Sequence, residues 1–95
     1  MAQKVEREAV EPETYYPEKT VPYYSNRVQL FIGNVDVVMD FLMTEPALPG
    51  KEPKAVFQSR IIMSPQHAKQ FSEILAQNMA KYEEVFGPLS IEPIK

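Results

Sequence analysis

Apolar positions along the chain follow two different periods. From Val28 to Met43 they alternate with other residues, and from Ala68 to Phe86 they recur every three or four positions. Side chains alternate across a strand, whereas every third or fourth residue shares one helix face. The first segment, "QLFIGNVDVVMDFLM", is broken only by Gly33-Asn34, a dipeptide typical of two-residue hairpin turns because both residues tolerate positive φ. Pairing Ile32 with Val35 puts Leu30 opposite Val37, Val28 opposite Met39 and Asn26 opposite Phe41. One face then carries Val28, Leu30, Ile32, Val35, Val37, Met39, Phe41 and Met43, all apolar. The same register sets Arg27 opposite Asp40, a mildly favourable cross-strand pair. That second face also holds Gln29, Phe31, Asp36, Val38 and Leu42, so it is about half apolar.

"EPALPGKEP", Glu45 to Pro53, contains three prolines and cannot continue a central strand. "KAVFQSRIIM" reads as a third strand. Ala55, Phe57, Ile61 and Met63 lie on one face with Ser59 as the polar interruption, and Val56, Gln58, Arg60 and Ile62 lie on the other. Ser64 and Pro65 then suit the N-cap and first position of a helix. Ala68, Phe71, Leu75, Met79, Tyr82 and Phe86 form its apolar stripe, widened by Ile74 and Val85, and Gly87-Pro88 stops it. Such a helix is about 33 Å long, close to a ten-residue strand, and is expected to lie along the hairpin and cover it. The expected fold is α+β, a three-stranded antiparallel meander with one long C-terminal helix packed on one face. Residues 1–22, with Pro12, Pro17 and Pro22, read as an extended or mobile arm, 23–89 as the single domain and 90–95 as a tail. Tyr15, Tyr16, Tyr23 and Tyr24 give the arm something to dock with.

Ninety-five residues suit one thin domain, since a short chain buries a smaller share of its surface. A net charge of −3 gives no reason to expect nucleic acid or an anionic membrane as partner. Cysteine is absent, which removes disulfides and thiolate metal sites. No apolar run approaches a membrane span, and the first residues do not resemble a signal peptide. A soluble, cytoplasmic protein is expected.

Candidate chemistry is sparse. His67 is the lone histidine and falls in the first helical turn, where an exposed structural role is favoured over catalysis. No HExxH, calcium loop or phosphate loop occurs, and Ser64 is better explained as a cap than as a nucleophile. No enzymatic activity, metal or cofactor is therefore expected. Glu83 and Glu84 oppose the helix macrodipole. Either that end is simply solvated, or Glu83 meets a basic group such as Arg60 or Arg27, in its own chain or a partner. Two function classes remain. The first is an oligomeric interaction or scaffold protein, a homodimer favoured, with Phe31, Val38, Leu42 and Glu83 as candidate interface residues. The second is a module that binds a protein or unfolded segment by strand addition, in the manner of a chaperone.

The segment "IIMSPQHAKQFSEILAQNMAKYEEVFG" resembles a signature of short bacterial and archaeal proteins grouped as domain of unknown function 3467. There a strand ends in Ser-Pro, followed by His-Ala-Lys and later by Asn and Tyr-Glu before Phe-Gly. Ser64, Pro65, His67, Ala68, Lys69, Asn78, Tyr82, Glu83, Phe86 and Gly87 hold those positions here. "YSNRVQLF" and "VVMDF" resemble that family's hairpin more loosely. The likeness runs from Tyr24 to Leu89 and leaves the arm outside it. The resemblance implies no activity, cofactor or catalytic residue.

Overall fold

The computed structural model describes residues 11–91. Three strands, β1 (Arg27–Ile32), β2 (Val37–Thr44) and β3 (Ala55–Met63), are followed by one helix, α1 (Pro65–Phe86). The strands form an antiparallel sheet in the order β1-β2-β3, so β2 is central. The fold is α+β, a meander with a C-terminal helix packed against it, as the two periods predict. Residues 11–24 run ahead of β1 without helix or strand and are exposed throughout.

The hairpin turns one residue later than Gly33-Asn34 implies. The Gly33 N–H donates to the Asp36 carbonyl at 2.8 Å, which leaves Asn34 and Val35 at the tip. Neither Gly33 nor Asn34 has positive φ, so the turn does not use the freedom that made the dipeptide look diagnostic. Moving the centre by one residue moves every partner by two. Ile32 therefore pairs with Val37, Leu30 with Met39 and Val28 with Phe41. A shift of two keeps each side chain on its face, because the period of a strand is two. Val35 alone leaves the apolar set. The expected Arg27–Asp40 pair is also lost, since Arg27 lies opposite Leu42 and Asp40 opposite Gln29. Asn26, expected opposite Phe41, instead bonds to the end of β2. Its Oδ1 accepts from the Thr44 N–H at 2.7 Å, and its Nδ2 donates to the Thr44 carbonyl at 3.3 Å. The Ser25 hydroxyl reaches the Leu42 carbonyl at 3.0 Å.

β3 departs from simple alternation. Phe41 pairs with Ser59 but Leu42 pairs with Phe57, so Gln58 is an extra residue in the ladder. A single extra residue reverses the alternation beyond it. Phe57 therefore shares a face with Leu42 rather than with Ile61 and Met63, contrary to the unbroken alternation read from the sequence. The Arg60 guanidinium carbon lies 5.8 Å from the centroid of the Phe57 ring, which confirms the exchange. Between β2 and β3, the Lys51 N–H donates to the Leu48 carbonyl at 2.9 Å, and Gly50 has φ of 77°. Pro49 then Gly50 at the two central positions is the composition a type II turn requires.

Helix α1 begins and ends where its capping residues place it. The Ser64 hydroxyl accepts from the His67 N–H at 3.2 Å, and Pro65 occupies the first helical position. At the other end, Gly87 has φ of 95° and its N–H donates to the Glu83 carbonyl. Packing of this helix within the single chain is shallow. Pro65 and Ala68 are half-buried, but every residue from Lys69 to Tyr82 is exposed. The expected cover over the hairpin is correspondingly incomplete, with Val28 and Leu30 still about half exposed.

Two measures agree on this openness. A compact monomer of this mass exposes about 5,600 Å², whereas the chain exposes 9708 Å². Its radius of gyration is 18.4 Å, against about 12 Å for a compact domain of this length. Residues 11–24, exposed throughout, and the open apolar faces of sheet and helix both contribute.

Loss of the helix cap should be measurable. Ser64→Ala is expected to lower stability by roughly 1 kcal/mol in urea titration, and Ser64→Asp to retain most of it. Equal midpoints for the wild type and the alanine variant would remove the cap from the account.

Candidate interaction surface

The two sheet faces differ in kind. On the face shared by Gln29, Phe31, Val38 and Leu42, Asp40 and Arg60 stand opposite each other on β2 and β3. Arg60 Nε donates to Asp40 Oδ1 at 2.7 Å and its Nη2 to Oδ2 at 2.9 Å, a two-pronged pair. Asp40 is 5% exposed, while the Arg60 side chain is 54% exposed. A carboxylate so enclosed needs its hydrogen bonds satisfied, and the guanidinium fork matches its geometry. Hydrogen bonds from Arg60 hold the Asp40 carboxyl below the usual carboxylate range. Burial pushes it the other way, and the positive charge of Arg60 adds to the lowering. Arg60 in turn is held more firmly charged, first by its hydrogen bonds to Asp40 and then by that group's negative charge.

The residues singled out from sequence fall as follows. Phe31, Val38 and Leu42 share this face, but Leu42 is already buried at 8% and Val38 is half-buried. Phe31, Phe57 and Ile62 remain more than half exposed around the ion pair. Glu83 is not among them. Its carboxylate accepts from the Leu89 N–H at 2.9 Å and pins the chain beyond Pro88 to the last helical turn. Within the described chain, neither Arg60 nor Arg27 is its partner.

The opposite face is wholly apolar over β1 and most of β2. Val37 and Met39 are its buried centre, at 6% and 8% exposure, flanked by open Val28, Leu30, Ile32 and Ile61. A third apolar surface is the helix stripe, where Phe71, Leu75, Met79 and Tyr82 are each more than a third exposed. Tyr82 and Phe86 stack at 4.8 Å between ring centroids, one helical turn apart. Sequence reasoning missed Phe57 and the Asp40–Arg60 pair. A polar Gln-Ser step inside an apolar strand was the available signal for the bulge.

His67 lies exposed beside an open hollow lined by Ser64, Gln66, Lys69, Gln70 and Glu73. Among the described residues, no three His, Cys, Asp or Glu side chains come together as metal ligands. No helix there is long and apolar enough to cross a membrane.

One family model matches the chain, over residues 1–91, and carries the description Protein of unknown function (DUF3467). The match includes residues 1–22, so the arm belongs to the family's pattern and is not unrelated to it. No curated protein and no solved structure matches.

The ion pair sets a pH dependence whose direction follows from the lowered Asp40 carboxyl. A carboxyl held below its unfolded value of about 3.9 stabilises the fold above that pH and loses its contribution as pH falls through the lower, folded value. Asp40→Asn should therefore be less stable than wild type at neutral pH, and the two should converge only in strong acid. A gap that stays constant throughout an acid titration of both proteins would mean the charge is not what matters.

Proposed function

The chain belongs to the family described as Protein of unknown function (DUF3467), and we propose that its role is assembly: a non-enzymatic interaction or scaffold protein that works as a homo-oligomer, with a dimer favoured. The observation that carries this reading is the size of the core. Among the described residues, Val37, Met39 and Leu42 are the only buried apolar side chains. Folding must offset backbone ordering of roughly 1–2 kcal/mol per residue, and three buried side chains return only about 1.5–3 kcal/mol each. An assembly would supply the missing burial. Stable interfaces bury about 1,200–2,000 Å² in total and obligate ones more, which the open apolar surface can provide.

A second reading has its own support. Among the described residues, β1 and β3 each have one edge without a partner strand, so an extended segment of another protein could be added there. Assembly state separates the two readings. A self-associating chain should scatter light as an oligomer, and its unfolding midpoint should rise with protein concentration. A monomer with a concentration-independent midpoint would favour strand addition.

Neighbouring valines test the sheet's sidedness. Val37 is buried on the predominantly apolar face and Val38 half-buried on the other. Placing an ammonium in the first site costs several kcal/mol, so Val37→Lys should abolish the folded circular dichroism signal. Val38→Lys should keep it. The reverse result would invalidate the assignment of faces.

A further inference from the structure

Resting on that reading, we infer that the dimer forms by reciprocal exchange, each α1 lying on the predominantly apolar Leu30–Met39 sheet face of a second copy. The strand-to-helix joint is the first ground. β3 ends at Met63 and α1 begins at Pro65, so Ser64 alone connects them. Connections of this kind in compact domains commonly take about 2–6 residues. Here the single connecting residue is spent as the N-cap, and the next has its φ fixed near −65° by the proline ring. A joint this short and stiff resists laying the helix back along the strand it has just left. Short connections are also where chains exchange elements with a second copy.

Burial along the helix fits that constraint. Partial cover is found at Pro65 and Ala68 by the joint and again at Glu83 near the far end, and the stripe from Phe71 to Tyr82 is left open. The open sheet face matches it in chemistry and in length. Val28, Leu30 and Ile61 offer no polar group to an apolar helix, whereas the other face would set the stripe on the Asp40–Arg60 pair. Twenty-two helical residues span about 33 Å and the nine of β3 about 30 Å, so one covers the other end to end. In a two-fold arrangement both copies satisfy both surfaces at once, with no apolar face repeated outward to seed a filament.

Cysteine is absent from the chain, so introduced thiols report cleanly. Leu30→Cys and Leu75→Cys each replace a side chain about half exposed in the single chain and should leave the fold intact by circular dichroism. The two variants, refolded together and treated with a short thiol-reactive cross-linker, should give a covalent heterodimer. Leu75→Cys alone should not cross-link to itself. Inserting Gly-Ser-Gly-Ser between Met63 and Ser64 should let the helix close on its own sheet. An intramolecular element competes at an effective concentration on the order of 1 mM, so the lengthened chain should become monomeric at micromolar protein while keeping its helical signal. Val38→Lys should remain a dimer. Self-cross-linking of Leu75→Cys, or a dimer unaffected by the insertion, would overturn the exchange while leaving the homo-oligomer reading standing. So would a folded but dissociated Val38→Lys, which would move the contact to the Phe31 and Val38 face. A wild type that is monomeric at every concentration would overturn both.

Discussion

β2 has a hydrogen-bonded neighbour on each side, and almost all of the chain's burial comes from that position. Among the described residues, Val37, Met39 and Leu42, the buried apolar ones, lie on it, and so does Asp40, the one buried charge. Flanking strands can shield a central strand laterally, but only another layer can shield them in turn. β1 shows the consequence, with all six of its residues exposed. A second layer exists in the sequence as the apolar stripe on α1, which stays exposed from Phe71 to Tyr82. The molecule's openness is thus not a lack of apolar residues.

The parts of this fold that were legible in the sequence are those set by local chemistry. Ser64, Pro65 and Gly87 fix the helix ends because a side-chain oxygen, a missing N–H and an unhindered positive φ act within a few residues. Membership of the apolar face was legible too, for a less obvious reason. The turn was misplaced by one residue, but that error shifts partners by an even number and leaves the faces of the two strands unchanged. Individual pairs were not protected in this way, so Arg27 was assigned the carboxylate that belongs to Arg60. The bulge at Gln58 is an odd-numbered error and exchanges faces outright. The polar Gln58-Ser59 step hints at it, but the step alone does not demand an extra residue in the ladder.

Asp40 shows what the register decides energetically. Opposite Arg27 it would have been one of several surface pairs of small value, screened by solvent. Opposite Arg60 it accepts two donors in a fork while being almost fully covered. A buried carboxylate without a partner is strongly unfavourable, so this pair penalises any slip of β3 along β2. Alternating apolar residues alone would tolerate a slip of two, the very ambiguity met in the β1–β2 hairpin. The ion pair supplies β2 and β3 with a discrimination that β1 and β2 must obtain from Ser25 and Asn26, whose side chains bond to the end of β2.

These polar devices also make the two faces unequal. With the ion pair at its centre, the Phe31 face presents exposed apolar groups around a charge already held by two hydrogen bonds, so it is a mixed surface. The Leu30 face has no such group and gains only from being covered. An apolar helix stripe discriminates between them through desolvation, because covering Arg60 would strip water from an exposed guanidinium and return no new hydrogen bond. The placement of one charged pair on β2 and β3 thereby makes covering that side of the sheet costlier than covering the other.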